Sequence, residues 1–142
     1  MTKTLIFTAT YNEKENITVL IEKIINLQRK VDILIIDDNS PDQTGQILKD
    51  LEKTLKNLKV IIREKKLGLD TAHKLAFNYA KKNNYEKFIT LDADLSHDPN
   101  EIPKIINLLD SNSFVIGSRY IKGGNCKMSL TRLILSIIGN KI

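Results

Sequence analysis

Short apolar runs alternate along the chain with longer segments in which apolar residues recur every three or four positions. The short runs predict strands over Leu5–Ala9, Val31–Ile36, Leu58–Ile62, Lys87–Leu91 and Ser113–Ile116. The longer segments predict helices over Glu13–Arg29, Gln43–Leu55, Asp70–Lys82, Asp98–Leu109 and Leu130–Ile142. A regular alternation of strand and helix is typical of an α/β fold, with a mainly parallel sheet and helices on both faces.

Clusters of polar residues follow each predicted strand. They occupy Thr10–Glu13, Asp37–Ser40, Arg63, Asp92–Asp98 and Gly117–Tyr120. In open parallel sheets, ligands bind outside the carboxyl ends of the strands. Because every cluster falls on that edge, the sequence predicts one binding site there.

Length and composition narrow the class of protein. The chain has 142 residues, one cysteine and a formal net charge of +5, which favours a single globular domain in a reducing, intracellular setting. No apolar stretch is long enough to cross a bilayer, and no run of like charges indicates a nucleic-acid arm. The excess of lysine fits either a solvated surface or attraction to phosphates or an anionic membrane.

Asp92-Ala93-Asp94 is the strongest candidate for metal binding. Two carboxylates at the end of an apolar strand can share one hard cation, Mg²⁺ or Mn²⁺, and Ser96 can add an oxygen or hold a water. A helix cap or solvated turn is the alternative for an isolated Asp-x-Asp. The second acidic pair, Asp37-Asp38, on a neighbouring strand favours the site.

Other polar residues suit a nucleotide. Asp38 can accept hydrogen bonds from a nucleoside, whereas Asp42 fits a helix cap. The planar guanidinium of Arg119 suits a phosphate, with a surface salt bridge as the alternative. His73 fits a half-buried helical histidine. The chain lacks G-x-G-x-x-G and P-loop motifs, so a nucleoside diphosphate held through a cation is favoured.

Five motifs together resemble a known family. They are Thr10–Asn16, Asp37–Thr44, Arg63–Leu69, Asp92–Pro99 and Gly117–Tyr120. In this order they resemble the dolichol-phosphate (polyprenol-phosphate) mannosyltransferases of glycosyltransferase family 2. The resemblance implies a Rossmann-like GT-A fold and inverting transfer of mannose from GDP-mannose to a polyprenyl phosphate at the cytoplasmic face of a membrane. Another nucleotide sugar such as UDP-glucose, another acceptor, or a donor-binding fragment without turnover are the alternatives.

The resemblance also implies residue roles. Contacts to the nucleotide sugar fall to Ala9, Tyr11, Glu13, Ile36, Asp38, Asp92, Ala93, Asp94 and Arg119. Asp92, Asp94 and Ser96 would hold Mg²⁺ or Mn²⁺, and Asp94 and Arg119 would act in catalysis.

The chain departs from the family pattern at several positions. Ala9 stands where the family usually has proline, and Asp70 and His73 stand where it usually has glycine and tyrosine. These two changes leave the donor-side loop and the identity of the sugar open. Family members also continue beyond Leu130–Ile142, so residues 1–142 are expected to form one glycosyltransferase domain truncated at its C-terminus.

Overall fold

The computed structural model describes residues 3–118, which form four strands and four helices. In chain order these are β1 (Thr4–Thr10), α1 (Lys14–Ile25), β2 (Asp32–Asp37), α2 (Thr44–Thr54), β3 (Leu58–Ile62), α3 (Leu69–Lys82), β4 (Lys87–Thr90) and α4 (Ile102–Leu108). A 3-10 turn over Pro99–Glu101 leads into α4, and the Asp98 side chain caps it by accepting from the Asn100 amide. The predicted cap at Asp98 is confirmed.

The four strands form one parallel sheet in the order β3-β2-β1-β4. Leu5 pairs with Asp32 on one side of β1 and with Phe88 on the other. All four strands therefore end at the same edge. The α/β class with a parallel sheet, predicted from the alternating pattern, is confirmed.

The helices divide unequally between the two faces of the sheet. The larger core packs α1, α2 and α4 against one face, with buried residues that include Ile6, Ile33 and Val60. On the other face, α3 is the only helix among residues 3–118, and its alanines at 72, 76 and 80 contact the layer of Leu5, Phe7, Leu34 and Ile36. The small alanine side chains let this helix lie close to the strands.

The structure corrects the predicted fifth strand. Residues 113–118 form no strand, and Phe114 and Ile116 are 77% and 70% exposed. The consecutive apolar residues 114–116 have high strand propensity, but a strand also needs a backbone partner and a covered face. Among the described residues, this segment has neither.

The predicted end of the first helix needs adjustment. α1 ends at Ile25, four residues before the predicted Arg29, and Gln28 adopts a positive φ of 52° that helix geometry does not allow. The predicted helix over Leu130–Ile142 lies outside the described residues. No helix within residues 3–118 has both the length and the apolar character needed to cross a membrane.

Candidate functional site

A cleft of about 320 Å³ opens where β1 and β4 end and α3 begins. Its wall is formed by Phe7, Ala9, Glu13, Leu69, His73, Thr90, Leu91, Asp92, Ala93 and Asp94. The cleft therefore lies at the predicted edge of the sheet. It combines an apolar floor with three carboxylates and one imidazole.

The two carboxylates after β4 are presented by a turn rather than by the strand itself. The ladder continues one residue beyond β4, where the Leu91 amide donates to the Phe7 carbonyl at 3.0 Å. The chain then turns, and Leu95 adopts a positive φ of 60°. Asp92 and Asp94 are both exposed, while Ala93 between them is buried. The buried Ala93 side chain thus holds the turn against the protein, and both carboxylates remain accessible to a ligand.

Asp94 is held in its ionised form. The Ser96 amide donates to Asp94 Oδ1 at 2.9 Å. This bond, with a further one from the Ser96 side chain, lowers the pKa of the Asp94 carboxyl below its ordinary value. Ser96 is not part of the cleft wall. Its observed contribution is to orient and ionise Asp94.

Asp92 lies against His97. The Asp92 amide donates to His97 Nδ1 at 3.3 Å, and His97 Nε2 is 3.6 Å from Asp92 Oδ2. The imidazole is half exposed, so it lies at the protein surface rather than in the core. The segment after β4 is consequently ordered by contacts among its own residues.

The donor set suits a hard divalent cation that shares its coordination with a ligand. Within residues 3–118, no group of three or more His, Cys, Asp or Glu side chains is arranged to hold a metal ion. Mg²⁺ is commonly bound through one or two carboxylates together with substrate phosphates and waters. Asp92 and Asp94 supply two such carboxylates at the cleft wall, so the chemistry of the residues fits.

Glu13 is positioned by the loop that follows β2. Its amide donates to Thr44 Oγ1 at 3.0 Å, and its carboxylate accepts from Asn16 Nδ2 at 3.0 Å. Asp42 accepts from Thr44 and from the Lys14 amide, and these bonds lower the pKa of Asp42 against the opposing effect of its slight burial. The N-cap residue of α2 is Gln43 rather than Asp42, but the Asp42 carboxylate accepts from the first amides of α2 and α1, as a capping side chain would. It serves the first turns of two helices at once.

Asp37 ties the ends of β1 and β2 together. Its Oδ1 accepts from Thr10 Oγ1 at 2.8 Å and from Ser40 Oγ at 2.5 Å, and its Oδ2 accepts from the Ser40 amide at 2.9 Å. Ser40 Oγ in turn accepts from the Asn12 amide at 2.9 Å. Asp37 is fully buried. It therefore organises the two loops beside the cleft from within.

The Asp38 carboxylate binds a side chain and backbone amides of the protein itself. It is 6% exposed and forms a buried ion pair with Arg63. Its Oδ2 accepts from the amides of Leu67 at 3.2 Å and Gly68 at 3.0 Å. Arg63 also donates to Thr71 Oγ1 at 2.6 Å and to the Gly68 carbonyl at 2.9 Å. The pair therefore holds the loop between β3 and α3, a role that the sequence did not indicate.

The other residues predicted to contact the nucleotide sugar lie in different surroundings. Ala9 and Ala93 line the cleft. Ile36 is fully buried beneath α3, so only its backbone is left for the predicted nucleoside contact. Tyr11 is 38% exposed, and Lys66 Nζ lies 3.6 Å from the centre of its ring, outside the cleft wall. Arg119 lies outside the described residues.

Five wall residues were not among the predicted site residues: Phe7, Leu69, His73, Thr90 and Leu91. His73 is half-buried on α3, as its sequence position suggested, but its ring faces the cleft. The only sequence signal was that His73 stands at a position where the motif usually carries tyrosine. Helical periodicity cannot tell which residue of a helix lies beside the end of a neighbouring strand.

Comparison with known proteins identifies the family. The sequence profile of glycosyl transferase family 2 matches residues 5–132. Polyprenol monophosphomannose synthase of Mycolicibacterium smegmatis is 33% identical over 97% of this chain and 53% of its own length. Dolichol-phosphate mannosyltransferase of Pyrococcus furiosus is 40% identical over 81% of this chain and 32% of its own length. The chain thus spans about half, or less, of the length of these relatives.

Solved structures agree on the fold. TarS of S. aureus superposes on 75% of this chain and 31% of its own, with a TM-score of 0.59 and 25% identity. Mannosyltransferase PcManGT from Pyrobaculum calidifontis, in complex with GDP-Man and Mn²⁺, superposes on 65% of this chain and 27% of its own, with a TM-score of 0.54 and 21% identity. The parallel sheet, the acidic cleft at its carboxyl edge and the match over nearly the whole sequence lead to one conclusion. This chain belongs to glycosyl transferase family 2.

Proposed function

We propose that this chain forms the nucleotide-sugar-binding part of an inverting mannosyltransferase that uses GDP-mannose and a polyprenyl phosphate. The observation that carries the proposal is the cleft in which Asp92, Asp94 and Glu13 meet at the carboxyl edge of the sheet. The names of the relatives, which are synthases and transferases of polyprenol-linked mannose, support the choice of substrates. The GDP-Man and Mn²⁺ complex of a protein with the same fold supports the choice of donor and cation.

Asp92 and Asp94 would hold Mg²⁺ or Mn²⁺ together with the diphosphate of the donor. A bound cation of this kind neutralises the charge that develops on a departing diphosphate. Asp94 suits this role because the bonds from Ser96 keep it ionised. Arg119, outside the described residues, would bind a phosphate of the donor or of the acceptor.

The transfer itself needs little acid–base chemistry from the protein. An oxygen of the acceptor phosphate forms a bond to the anomeric carbon while the bond from that carbon to the diphosphate oxygen breaks, which inverts the configuration and releases GDP. The attacking phosphate is already anionic, so no general base is required. The residues of the cleft would bind and orient the donor, and positioning of this kind supplies a large share of the rate.

A second candidate is donor binding without turnover. It is favoured by one observation, which is that the chain covers only 53% and 32% of two relatives that are named as a synthase and a mannosyltransferase. Mannosyl transfer to a short polyprenyl phosphate by the chain alone would exclude this candidate. Donor binding without transfer would support it.

The site is tested by titrating the chain with GDP-mannose, UDP-glucose and GDP by calorimetry, with Mn²⁺ or with EDTA. We expect GDP-mannose to bind in Mn²⁺ and to lose at least tenfold in affinity in EDTA. Asp94→Asn should reproduce that loss while Mn²⁺ is present. Asp50→Asn is the matched control, because Asp50 is an exposed carboxylate on α2 that pairs with Lys53. Equal binding by both variants would remove Asp94 from the site.

The proposed acceptor places the protein at a membrane surface. We propose peripheral association with the cytoplasmic face, supported by the lipid nature of the acceptor and by the net charge of +5. Co-sedimentation with vesicles containing anionic lipid, compared with neutral vesicles, tests this point. Equal recovery of the protein with both kinds of vesicle would count against an electrostatic contribution.

A further inference from the structure

We propose that His73 is a specificity-determining residue that recognises hydroxyl groups of the transferred sugar. The inference rests on the proposed function, because it assigns a role within the donor cleft. His73 lies one turn into α3 and is half-buried. It is the polar side chain that α3 contributes to the cleft wall, beside the apolar Leu69.

The ring of His73 is held in place by an aromatic contact rather than by hydrogen bonds. It packs edge-on against Phe7, with ring centroids 5.1 Å apart and an interplanar angle of 80°. Phe7 is itself buried in the strand layer and stacks on Phe88. Within residues 3–118, neither ring nitrogen of His73 has a hydrogen-bond partner. The imidazole therefore keeps a donor and an acceptor for a ligand.

The position of His73 along the donor follows from the order of groups in a nucleotide sugar. The nucleoside is expected near Tyr11, which does not line this cleft. The cation ligands Asp92 and Asp94 do line it, so the diphosphate would lie at their end. The part of the donor that extends from the diphosphate away from the nucleoside is the sugar. His73 lines the same cleft as Asp92 and Asp94, so it would lie beside the sugar that follows the diphosphate.

The charges of the cleft point to the same assignment. Glu13, Asp92 and Asp94 are acidic, and no lysine or arginine among the described residues lines this cleft. Such a wall repels a phosphate that is not shielded by a cation, whereas a hexose is neutral and rich in hydroxyl groups. A few polar groups in a mostly apolar pocket are the usual means of fixing a ligand's orientation. His73 would supply such a group from α3, and Glu13 from the loop between β1 and α1.

His73→Phe tests the role, because phenylalanine can keep the edge contact to Phe7 but has no ring nitrogens. Calorimetry in Mn²⁺ would measure the affinities for GDP and GDP-mannose for the whole chain. We expect the affinity for GDP to stay within about twofold and that for GDP-mannose to fall about tenfold, which is the size expected for one lost hydrogen bond. His73→Gln, which restores a donor and an acceptor, should recover part of the preference for the sugar.

Lys74→Gln is the matched control, since Lys74 is the next residue of α3 but does not line the cleft. It should leave both affinities unchanged. An equal ratio of the two affinities in His73→Phe and in the unsubstituted chain would overturn the inference while leaving the proposed function intact. Failure of the unsubstituted chain to bind any donor would overturn both.

Discussion

Thr8 and Thr10 on β1 offer a direct test of the network that organises the site. They lie two residues apart, so their side chains point to the same face of the sheet. Both are buried, at 0% and 3% exposure. Thr10 Oγ1 donates to Asp37 Oδ1 at 2.8 Å, whereas Thr8 Oγ1 has no hydrogen-bond partner within the described residues. The same substitution, threonine to valine, therefore removes a bond at one position and none at the other.

The magnitudes follow from these contacts. Removing one partner of a buried hydrogen bond costs about 1–3 kcal/mol. Asp37 Oδ1 keeps its bond from Ser40 Oγ, so we place Thr10→Val in the lower part of that range, at about 1–2 kcal/mol. Thr8→Val removes a buried hydroxyl that has no protein partner. We expect a change within about 0.5 kcal/mol, or a small gain in stability.

Urea unfolding followed by circular dichroism would measure both variants. With an m value of about 2 kcal/mol/M, Thr10→Val should lower the midpoint by about 0.5–1 M and leave m unchanged. Equal destabilisation by the two variants would refute the argument, because packing would then account for both. The loss at Thr10 should also weaken donor binding, since Asp37 holds the loops that carry Glu13.

Three further predictions concern the stability of the fold. Arg63→Met leaves the Asp38 carboxylate buried without its ion-pair partner and should lower the free energy of unfolding in urea by about 3–5 kcal/mol. The double variant Asp38→Asn/Arg63→Met should lower it by less than the sum of the two single changes. Gly68→Ala places a side chain at a φ of 90° and should cost about 1–2 kcal/mol, measured as a lower melting temperature; an unchanged value would contradict this. Burial opposes ionisation of Glu52, but hydrogen bonds from two lysines and the Val60 amide lower the pKa of its carboxyl to about 2. Because this pKa is depressed in the folded state, the stabilisation from Glu52 is complete above about pH 4.5 and is lost as the pH falls toward 2. Glu52→Gln should therefore flatten the dependence of unfolding free energy on pH between these two values. An unchanged slope would exclude this contribution of Glu52.

Local pattern was sufficient for most of the fold. The limits of β3 were predicted without error, and those of β1, β2 and β4 to within one residue at each end, because burial of a strand imposes its own run of apolar residues. The helix cap at Asp98 could also be predicted, since a cap involves only residues that are close in the sequence. The polar clusters at the strand ends predicted where the cleft lies, because parallel strands bring their carboxyl ends to one edge.

The tertiary structure alone decided what depends on partners distant in the chain. Residues 113–116 contain the short apolar run typical of a strand but lack a strand partner within the described part of the chain. Asp38 resembles a ligand-binding carboxylate in sequence, yet Arg63 and two loop amides occupy it, because β2 and β3 are neighbours in the sheet. His73 faces the cleft because α3 packs on the second face of the sheet and begins beside the end of β1. Periodicity is a local property and predicts which face of a helix is buried, whereas the neighbour of each side chain depends on the order of the strands.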